Sequence, residues 1–224
     1  MPLLYLLRHA QSTANTKGVL AGQDDSVELS KDGMKQADQL VNHLESFKIS
    51  KVYCSPLTRC IQTITPFMSE NPKVDFVIEP KLIEMDYGAW SGKKLSTLVR
   101  DAKWQKVVSK PSTFTFPDGE SFKQMRNRVD KLLSQLASVK NPALLVTHGD
   151  IIKMFLASAL NLPIDQFQSF VAEPASITTI KVDKKSNVVL QTNFRLAKSS
   201  FRNFSLNPLG GGNINRDRKN WWSR

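Results

Sequence analysis

The stretch Leu3-Leu4-Tyr5-Leu6-Leu7-Arg8-His9 carries the strongest indication of the fold. Five apolar residues in a row fit a strand that is buried on both faces, and the run stops at a guanidinium and an imidazole. Similar short runs occur at three later places, 51–54, 74–78 and 143–147. The sequence therefore predicts several buried strands of a largely parallel sheet.

The segments between these runs have the periodicity of amphipathic helices. Apolar residues recur at helical spacing in 30–47, and Ser30 is placed to cap the first turn. The same spacing is found in four further segments, 57–69, 93–109, 120–138 and 149–160. Helices of this kind cover both faces of a parallel sheet. We predict an α/β fold, a three-layer α/β/α sandwich whose central sheet is mostly parallel.

The last part of the sequence has a different pattern. Two strand-like segments, 177–182 and 187–194, flank a polar turn and are expected to form a hairpin at one edge of the sheet. Beyond residue 194 the periodicity fades, and 195–224 contains seven Lys or Arg residues with Asp217 as its single acid. We predict one domain at 1–194, followed by a basic C-terminal extension at 195–224 that is flexible or packed on the surface.

The composition excludes several classes of protein. With 41% hydrophobic and 23% charged residues among 224, the chain is neither disordered nor fibrous. No apolar run approaches the roughly 20 residues of a membrane span, and the first residues lack the features of an export signal, so a cytoplasmic protein is expected. Cys54 and Cys60 are too few for a disulfide framework and are expected to be buried thiols. The net charge of +11 suits an anionic ligand.

Side chains capable of chemistry stand at the ends of three predicted strands. Arg8 and His9 end the first strand, Arg59 follows the second, and His148 follows a later one. Since ligands bind beyond the carboxyl ends of parallel strands, we expect these four side chains to meet at one edge of the sheet. The third histidine, His43, falls inside the first long helix and is interpreted as a surface or structural residue.

Two guanidinium groups and two imidazoles around one point form a pocket for a dianion such as phosphate. The sequence contains no GxxxxGK[ST] nucleotide loop, no paired-aspartate metal motif and no HExxH motif. Neither a metal nor another cofactor is therefore expected, and the nucleophile must come from the protein. His9 is the strongest candidate, because neutral imidazole is nucleophilic near physiological pH and Arg8 stands beside it.

Four motifs resemble those of the histidine phosphatase superfamily, in the branch that includes cofactor-dependent phosphoglycerate mutases and related phosphatases. The stretch LRHAQSTAN at 7–15 resembles the RHG signature, with Ala10 and Gln11 in place of the commonest glycine and glutamate. The other three are similar to the second-arginine, proton-donor and second-histidine motifs: SPLTRCIQT at 55–63, EMDYGAWSG at 84–92 and VTHG at 146–149. They stand in the order of the family, and the resemblance covers the predicted domain.

The resemblance implies a mechanism for a small phosphorylated substrate. His9 would attack phosphorus and become a phosphohistidine, while Arg8, Arg59 and His148 would bind the equatorial oxygens. Glu84 would protonate the leaving alkoxide and later accept a proton from water. The implied activity is metal-independent hydrolysis of a phosphomonoester.

The resemblance also implies auxiliary contacts with the phosphate. These are assigned to Asn15, Gly22, Gln23 and the backbone N–H of Gly149. Gly22 and Gln23 belong to 22–33, which resembles the second loop of the family. Neither the physiological substrate nor the oligomeric state is predicted from the sequence.

Several of these residues have a purely structural alternative. Arg59 could lie on the surface of a helix, and Glu84 could be an ordinary solvated carboxylate. Glu120, which is near Glu84 in sequence, is expected to cap the following helix together with Ser121. The stretch 104–116, rich in aromatic and basic side chains, is expected to roof the pocket, or else to be core packing.

Two alternative functions remain open. A phosphoglycerate mutase would transfer the phosphoryl group to an acceptor, but the chain lacks an arginine-rich insertion for that task, and 87–92 resembles the phosphatase version of its motif. A non-catalytic module would bind phosphate, with the basic extension contacting nucleic acid or another anionic surface. For that extension, a solvated chain end is the simpler interpretation.

Overall fold

The structure is a computed structural model that describes residues 2–183 and 186–195. The strands are β1 (Leu3–Arg8), β2 (Lys51–Cys54), β3 (Asp75–Ile78), β4 (Ala143–Thr147), β5 (Ile177–Lys181) and β6 (Val188–Phe194). The α-helices are α1 (Thr13–Lys17), α2 (Lys31–Glu45), α3 (Thr58–Glu70), α4 (Leu95–Leu98), α5 (Trp104–Ser109), α6 (Phe122–Leu136) and α7 (Gly149–Ala159). Single 3-10 turns lie at Pro80–Leu82, Gly88–Trp90 and Pro111–Thr113, and a longer 3-10 segment at Ile164–Ser169.

The six strands form one sheet in the order β3-β2-β4-β1-β5-β6. The strands β1 to β4 are parallel, and Arg8 at the end of β1 lies opposite Thr147 at the end of β4. On its other side β1 pairs antiparallel with β5, which forms the predicted hairpin with β6. The mostly parallel sheet with a terminal hairpin is thus confirmed.

Both faces of the sheet are covered by helices. Alternate residues of β1 point to opposite faces, so Leu7 packs in a cluster with Leu40 of α2 and Phe67 of α3. On the other face, Leu6 packs in a second cluster, which includes Met125 of α6 and Phe155 of α7. This arrangement confirms the three-layer α/β/α sandwich.

The polar residues that precede the helices act as predicted caps. The Ser30 hydroxyl accepts the Gly33 N–H at 3.0 Å at the start of α2. Ser121 begins α6 with a reciprocal capping box, in which its hydroxyl accepts the Gln124 N–H and the Gln124 side chain accepts the Ser121 N–H. These bonds satisfy backbone donors that the helices leave unpaired.

Two predictions about individual elements were wrong. The segment 93–109 is not one helix but the two short helices α4 and α5, because the Asp101 carboxylate accepts the Lys103 N–H at 2.8 Å and turns the chain between them. The strand at 74–78 is not buried: β3 is an edge strand whose Phe76 and Ile78 side chains are both 41% exposed.

Cys54 and Cys60 are buried free thiols, as predicted. Among the residues that the structure describes, no helix is both long enough and apolar enough to cross a membrane. Apart from Arg195, the predicted basic extension at 195–224 lies outside the described residues.

Candidate active site

His9 follows the last residue of β1, in the middle of the sheet. Its backbone N–H donates to the Thr147 carbonyl at 2.8 Å, and its ring Nδ1–H donates to the Ala10 carbonyl at 2.7 Å. Because a carbonyl can only accept, this bond places the proton on Nδ1 and leaves a lone pair on Nε2. Burial, followed by the charges of Arg59 and Arg8, holds the pKa of His9 well below its usual range. The ring is therefore neutral and nucleophilic at physiological pH.

His148 follows the last residue of the neighbouring strand β4. The centroids of its ring and of the His9 ring are 5.2 Å apart, at an interplanar angle of 60°. Nδ1 of His148 accepts from Nη2 of Arg59 at 3.3 Å, so the proton is on Nε2, which donates to the Ser55 hydroxyl at 2.8 Å. Burial, and next the charge of Arg59, holds the pKa of His148 well below its usual range.

The guanidinium groups of Arg8 and Arg59 are both buried and are held by backbone carbonyls. Nη1 of Arg8 donates to the Ala172 carbonyl at 2.6 Å. Nη2 of Arg59 donates to the Gly22 carbonyl at 2.7 Å, and its Nη1 to the Asp24 carbonyl at 3.0 Å. Neutral acceptors position these cations without cancelling their charge, which leaves it for an anionic ligand.

Glu84 is a buried carboxyl group in the same site. Its Oε1 accepts the Met85 N–H at 2.9 Å. Burial, followed by repulsion from Asp150, raises the pKa of Glu84 to about 7, although Met85, Arg59 and Arg8 oppose the shift. A carboxyl group with this pKa can donate a proton at neutral pH and accept one again.

Arg128 of α6 holds the segment that contains Glu84. Its guanidinium makes two bonds to the Glu120 carboxylate, at 2.8 and 3.1 Å, and donates to the carbonyls of Lys81 at 2.7 Å and Glu84 at 3.3 Å. The expectation that Glu120 caps α6 was therefore wrong. Ser121 and Gln124 make the cap, and Glu120 is the counterion of Arg128.

A cavity of about 200 Å³ opens at this edge of the sheet. Four of the predicted catalytic residues contribute to its wall: Arg8, His9, Arg59 and Glu84. The remaining wall includes Gln11, Ser12, Asn15, Leu20, Gly22, Tyr87 and Glu173. A site with two cations, a neutral imidazole and a protonatable carboxyl group around one cavity can bind a phosphate ester and transfer its phosphoryl group.

Residues 4–195 match the sequence profile of the histidine phosphatase superfamily, branch 1. The chain belongs to this superfamily. Phosphoserine phosphatase 1 of Hydrogenobacter thermophilus is 29% identical over 197 residues, which cover 86% of this chain and 92% of that protein. The 2,3-bisphosphoglycerate-dependent phosphoglycerate mutase of Thermoplasma acidophilum is 26% identical over 183 residues, or 82% of this chain and 88% of that protein.

A solved structure gives the same assignment of fold. The α-ribazole phosphatase of Shigella flexneri superimposes with a TM-score of 0.76 at 23% identity, over 88% of this chain and 99% of that one. The family resemblance and the fold that the sequence predicts are both confirmed.

Of the four residues predicted to contact phosphate, only two line the cavity of this histidine phosphatase. Asn15 and Gly22 line the cavity, but Oδ1 of Asn15 accepts the Ser12 N–H, and the Gly22 carbonyl holds Arg59. Nε2 of Gln23 donates to the Glu84 carbonyl at 2.9 Å. Gly149 begins α7 and, like His148, lies outside the lining of the cavity.

The stretch 104–116 does not roof this cavity. Trp104, Phe114 and Phe116 are buried in the core with Trp90, whose ring centroid lies 5.4 Å from that of Phe116. The basic residues of the stretch are exposed instead. The alternative interpretation of the stretch, core packing, is confirmed for its aromatic residues.

Two polar residues of the site were missed by the sequence analysis of this histidine phosphatase. Tyr87 lies inside the proton-donor motif, and its hydroxyl donates to Asp150 at 2.7 Å. Glu173 lies in an irregular segment before β5, where no periodic pattern signals a site residue. Within the described ranges, no three His, Cys, Asp or Glu side chains are grouped as they would be in a metal site.

Proposed function

We propose that the protein hydrolyses phosphomonoesters through a phosphohistidine formed on His9, without a metal ion. The observation that carries this proposal is the hydrogen bond from Nδ1 of His9 to the Ala10 carbonyl. It leaves Nε2 with a lone pair in the same cavity as two arginines and a protonatable carboxyl group. The phosphatase among the relatives supports hydrolysis as the overall reaction.

In the first step, Nε2 of His9 attacks phosphorus and the bond from phosphorus to the ester oxygen breaks. The leaving alkoxide takes the proton of Glu84, so the alcohol departs neutral and the carboxylate remains. A pKa of about 7 leaves a large fraction of Glu84 protonated for this step at neutral pH.

In the second step, water attacks the phosphohistidine. The carboxylate of Glu84 accepts a proton from this water as its oxygen bonds to phosphorus and the bond to Nε2 breaks. Inorganic phosphate, neutral His9 and protonated Glu84 result. One carboxyl group thus acts as acid and then as base, which returns the enzyme to its starting protonation state.

We assign the phosphoryl oxygens to the two guanidinium groups. Arg8 and Arg59 are held in place before a ligand arrives, so little reorganisation is needed as charge develops. His148 would add a donor by moving its Nε2–H from the Ser55 hydroxyl to a phosphoryl oxygen. Asn15, Gly22, Gln23 and Gly149 remain auxiliary candidates for contact with substrate.

Transfer to an acceptor hydroxyl in place of water is the second candidate. The mutase from Thermoplasma acidophilum favours it, because the two reactions share the phosphohistidine and differ in the acceptor. The cytoplasmic location, the domain boundary at residue 194 and contact of the basic extension with nucleic acid stay predictions from the sequence.

A screen of phosphomonoesters in the presence of EDTA tests the proposal. We expect turnover that survives chelation, is inhibited by vanadate, and falls by at least about 1,000-fold in His9→Ala. His43→Ala is the matched control, since His43 packs against Phe47 and Phe194. A phosphoenzyme trapped without acid should carry its label on His9. Loss of activity on chelation, or full activity in His9→Ala, would refute the mechanism.

A further inference from the structure

Glu173 places a second carboxylate in the wall of the cavity. The residue is 9% exposed, and its Oε1 is buried with no hydrogen-bond partner among the described residues. None of the ion pairs within the described part of the chain includes this carboxylate. Buried charged oxygens are normally bonded, because their desolvation is costly. The unpartnered oxygen therefore points to a ligand that supplies the missing contact.

The backbone around Glu173 is fixed by hydrogen bonds. The Ser176 N–H donates to the Glu173 carbonyl at 3.0 Å and closes a tight turn. The Glu173 N–H donates to Oδ1 of Asn193 at 2.7 Å, and the Ala175 N–H donates to the carbonyl of the nucleophile His9 at 3.2 Å. The carboxylate thus belongs to a turn that is bonded directly to the catalytic residue.

The conformation of this turn is demanding. Pro174 occupies its second position, and Ala175 at its third position has a φ of +58°, a region that favours glycine. Such a conformation persists where the surroundings fix it, and it is common at functional sites. The turn fixes the backbone of Glu173 beside the cavity whose wall includes this residue.

Burial lowers the pKa of Arg8, and Glu173 is the charge that most opposes this shift, yet none of the ion pairs among the described residues joins the two groups. Nη1 of Arg8 is bonded to the Ala172 carbonyl, and its Nε is buried without a partner, as Oε1 of Glu173 is. Two neighbouring groups of opposite charge thus each keep an unused bonding position. An intramolecular ion pair between them does not explain the position of Glu173.

When a phosphate ester occupies the cavity, the negative charges of the ester and of Glu173 together outnumber the positive charges of the two arginines. Two guanidinium groups, of Arg8 and Arg59, match the two negative charges of a phosphate dianion. The Glu173 carboxylate is then left over, and it repels the dianion. A substrate that carries one positive charge on its alcohol portion removes this imbalance.

We propose that Glu173 binds a cationic substituent, an ammonium group, on the leaving alcohol, so that the preferred substrates are aminoalkyl phosphates. The inference rests on the proposed phosphomonoesterase activity and adds the class of leaving group. Glu173 acts here as a specificity determinant, since it contacts the substrate away from the reacting phosphorus.

Three esters of matched size test the inference. Phosphoethanolamine, propyl phosphate and 2-hydroxyethyl phosphate differ in one terminal group, which is ammonium, methyl and hydroxyl respectively. The values of kcat/KM would be measured for the wild type and for Glu173→Gln, which keeps the shape and removes the charge. Glu70→Gln is the control, because Glu70 is an exposed carboxylate at the end of α3.

We expect the wild type to prefer phosphoethanolamine over propyl phosphate by about 10- to 100-fold in kcat/KM, the range of a hydrogen bond to a charged group. Glu173→Gln should lose this preference, because its kcat/KM values for the two esters should change in opposite directions. Its kcat/KM should fall for phosphoethanolamine and rise about two- to tenfold for propyl phosphate, since repulsion of the phosphate is removed. A residue with a structural role alone would lower both values together.

The outcomes separate this inference from the proposed function. Equal kcat/KM for phosphoethanolamine and propyl phosphate in the wild type, or a preference retained in Glu173→Gln, overturns the role of Glu173. A preference for the hydroxyl ester equal to that for the ammonium ester overturns it as well, because charge is then not recognised. If His9→Ala hydrolyses p-nitrophenyl phosphate as fast as the wild type does, the proposed mechanism is refuted. This holds whatever the preference among the three esters.

Discussion

The hydroxyl of Tyr87, a residue in the wall of the active-site cavity, donates a 2.7 Å hydrogen bond to Oδ2 of Asp150. Oδ1 of the same carboxylate lies 3.6 Å from Nζ of Lys153, and all three side chains are buried. Repulsion from Asp150 is the second cause, after burial, of the raised pKa of Glu84. This buried network therefore adjusts the proton affinity of a group that lies outside it.

Asp150→Asn should move the pH profile of the enzyme to lower values. Removing the charge takes away a contribution that raises the pKa of Glu84, so Glu84 loses its proton at lower pH. For an alkyl phosphate, the alkaline limb of kcat/KM should shift downward by about one pH unit. The same profile measured with p-nitrophenyl phosphate is the control, because that leaving group needs no acid. An unshifted limb for the alkyl ester would contradict this account.

Glu84→Gln should slow the hydrolysis of esters with poor leaving groups far more than that of esters with good leaving groups. Esters of alkyl alcohols need a proton on the departing oxygen, and we expect their kcat/KM to fall by about 100- to 10,000-fold. With p-nitrophenyl phosphate the loss should be at least tenfold smaller. kcat/KM covers only the steps through formation of the phosphohistidine, so the later role of Glu84 as a base does not enter. Equal losses for both kinds of ester would remove Glu84 from the acid role.

The same substitution should stabilise the protein at alkaline pH. Because the pKa of Glu84 is about 7 when folded and near 4.5 when unfolded, its contribution to stability is complete below pH 4.5 and is lost as pH rises through 7. Relative to the wild type, Glu84→Gln should gain about 2–3 kcal/mol in free energy of unfolding between pH 5 and pH 8. Urea denaturation at both pH values measures this gain, and Glu70→Gln, an exposed change, should show none. A pH-independent difference would mean that Glu84 is not buried as a carboxylic acid.

Arg128→Gln should loosen the segment that contains Glu84, because Arg128 holds this segment in place by hydrogen bonds. The substitution removes two bonds to Glu120 and two to backbone carbonyls, and we expect a loss of about 2–3 kcal/mol in free energy of unfolding. The ratio of alkyl to aryl ester turnover should fall as well, because Glu84 is then held less firmly. Lys123→Gln, an exposed substitution on the same helix, is the control. An unchanged ester ratio would show that Arg128 supports stability alone.

The part of the site that lies at strand ends could be predicted from the sequence. Buried parallel strands are recognisable as continuous apolar runs, and the residues that end them must meet at one edge. His9 and His148 are 139 positions apart in the chain, and their ring centroids are 5.2 Å apart in the fold. This part of the prediction depends only on the parallel arrangement of the strands, and the continuous apolar runs already indicate buried parallel strands.

The remainder of the site depends on contacts that have no local signature. Glu173 reaches the cavity because its turn is bonded to Asn193 of β6 and to His9, which are distant in sequence. Glu120 precedes a helix and fits a capping pattern, but the pairing with Arg128 two turns later determines its role. The break inside 93–109 arises from one side-chain bond of Asp101, which helical periodicity does not reveal.

The antiparallel pairing of β5 with β1 has a consequence for synthesis of the protein. Until β5 (Ile177–Lys181) has left the ribosome, β1 has an open edge and the segment containing Ala172 has no strand to anchor it beside Arg8. The guanidinium of Arg8 therefore reaches its place only after a segment 164 positions further along the chain has packed beside it.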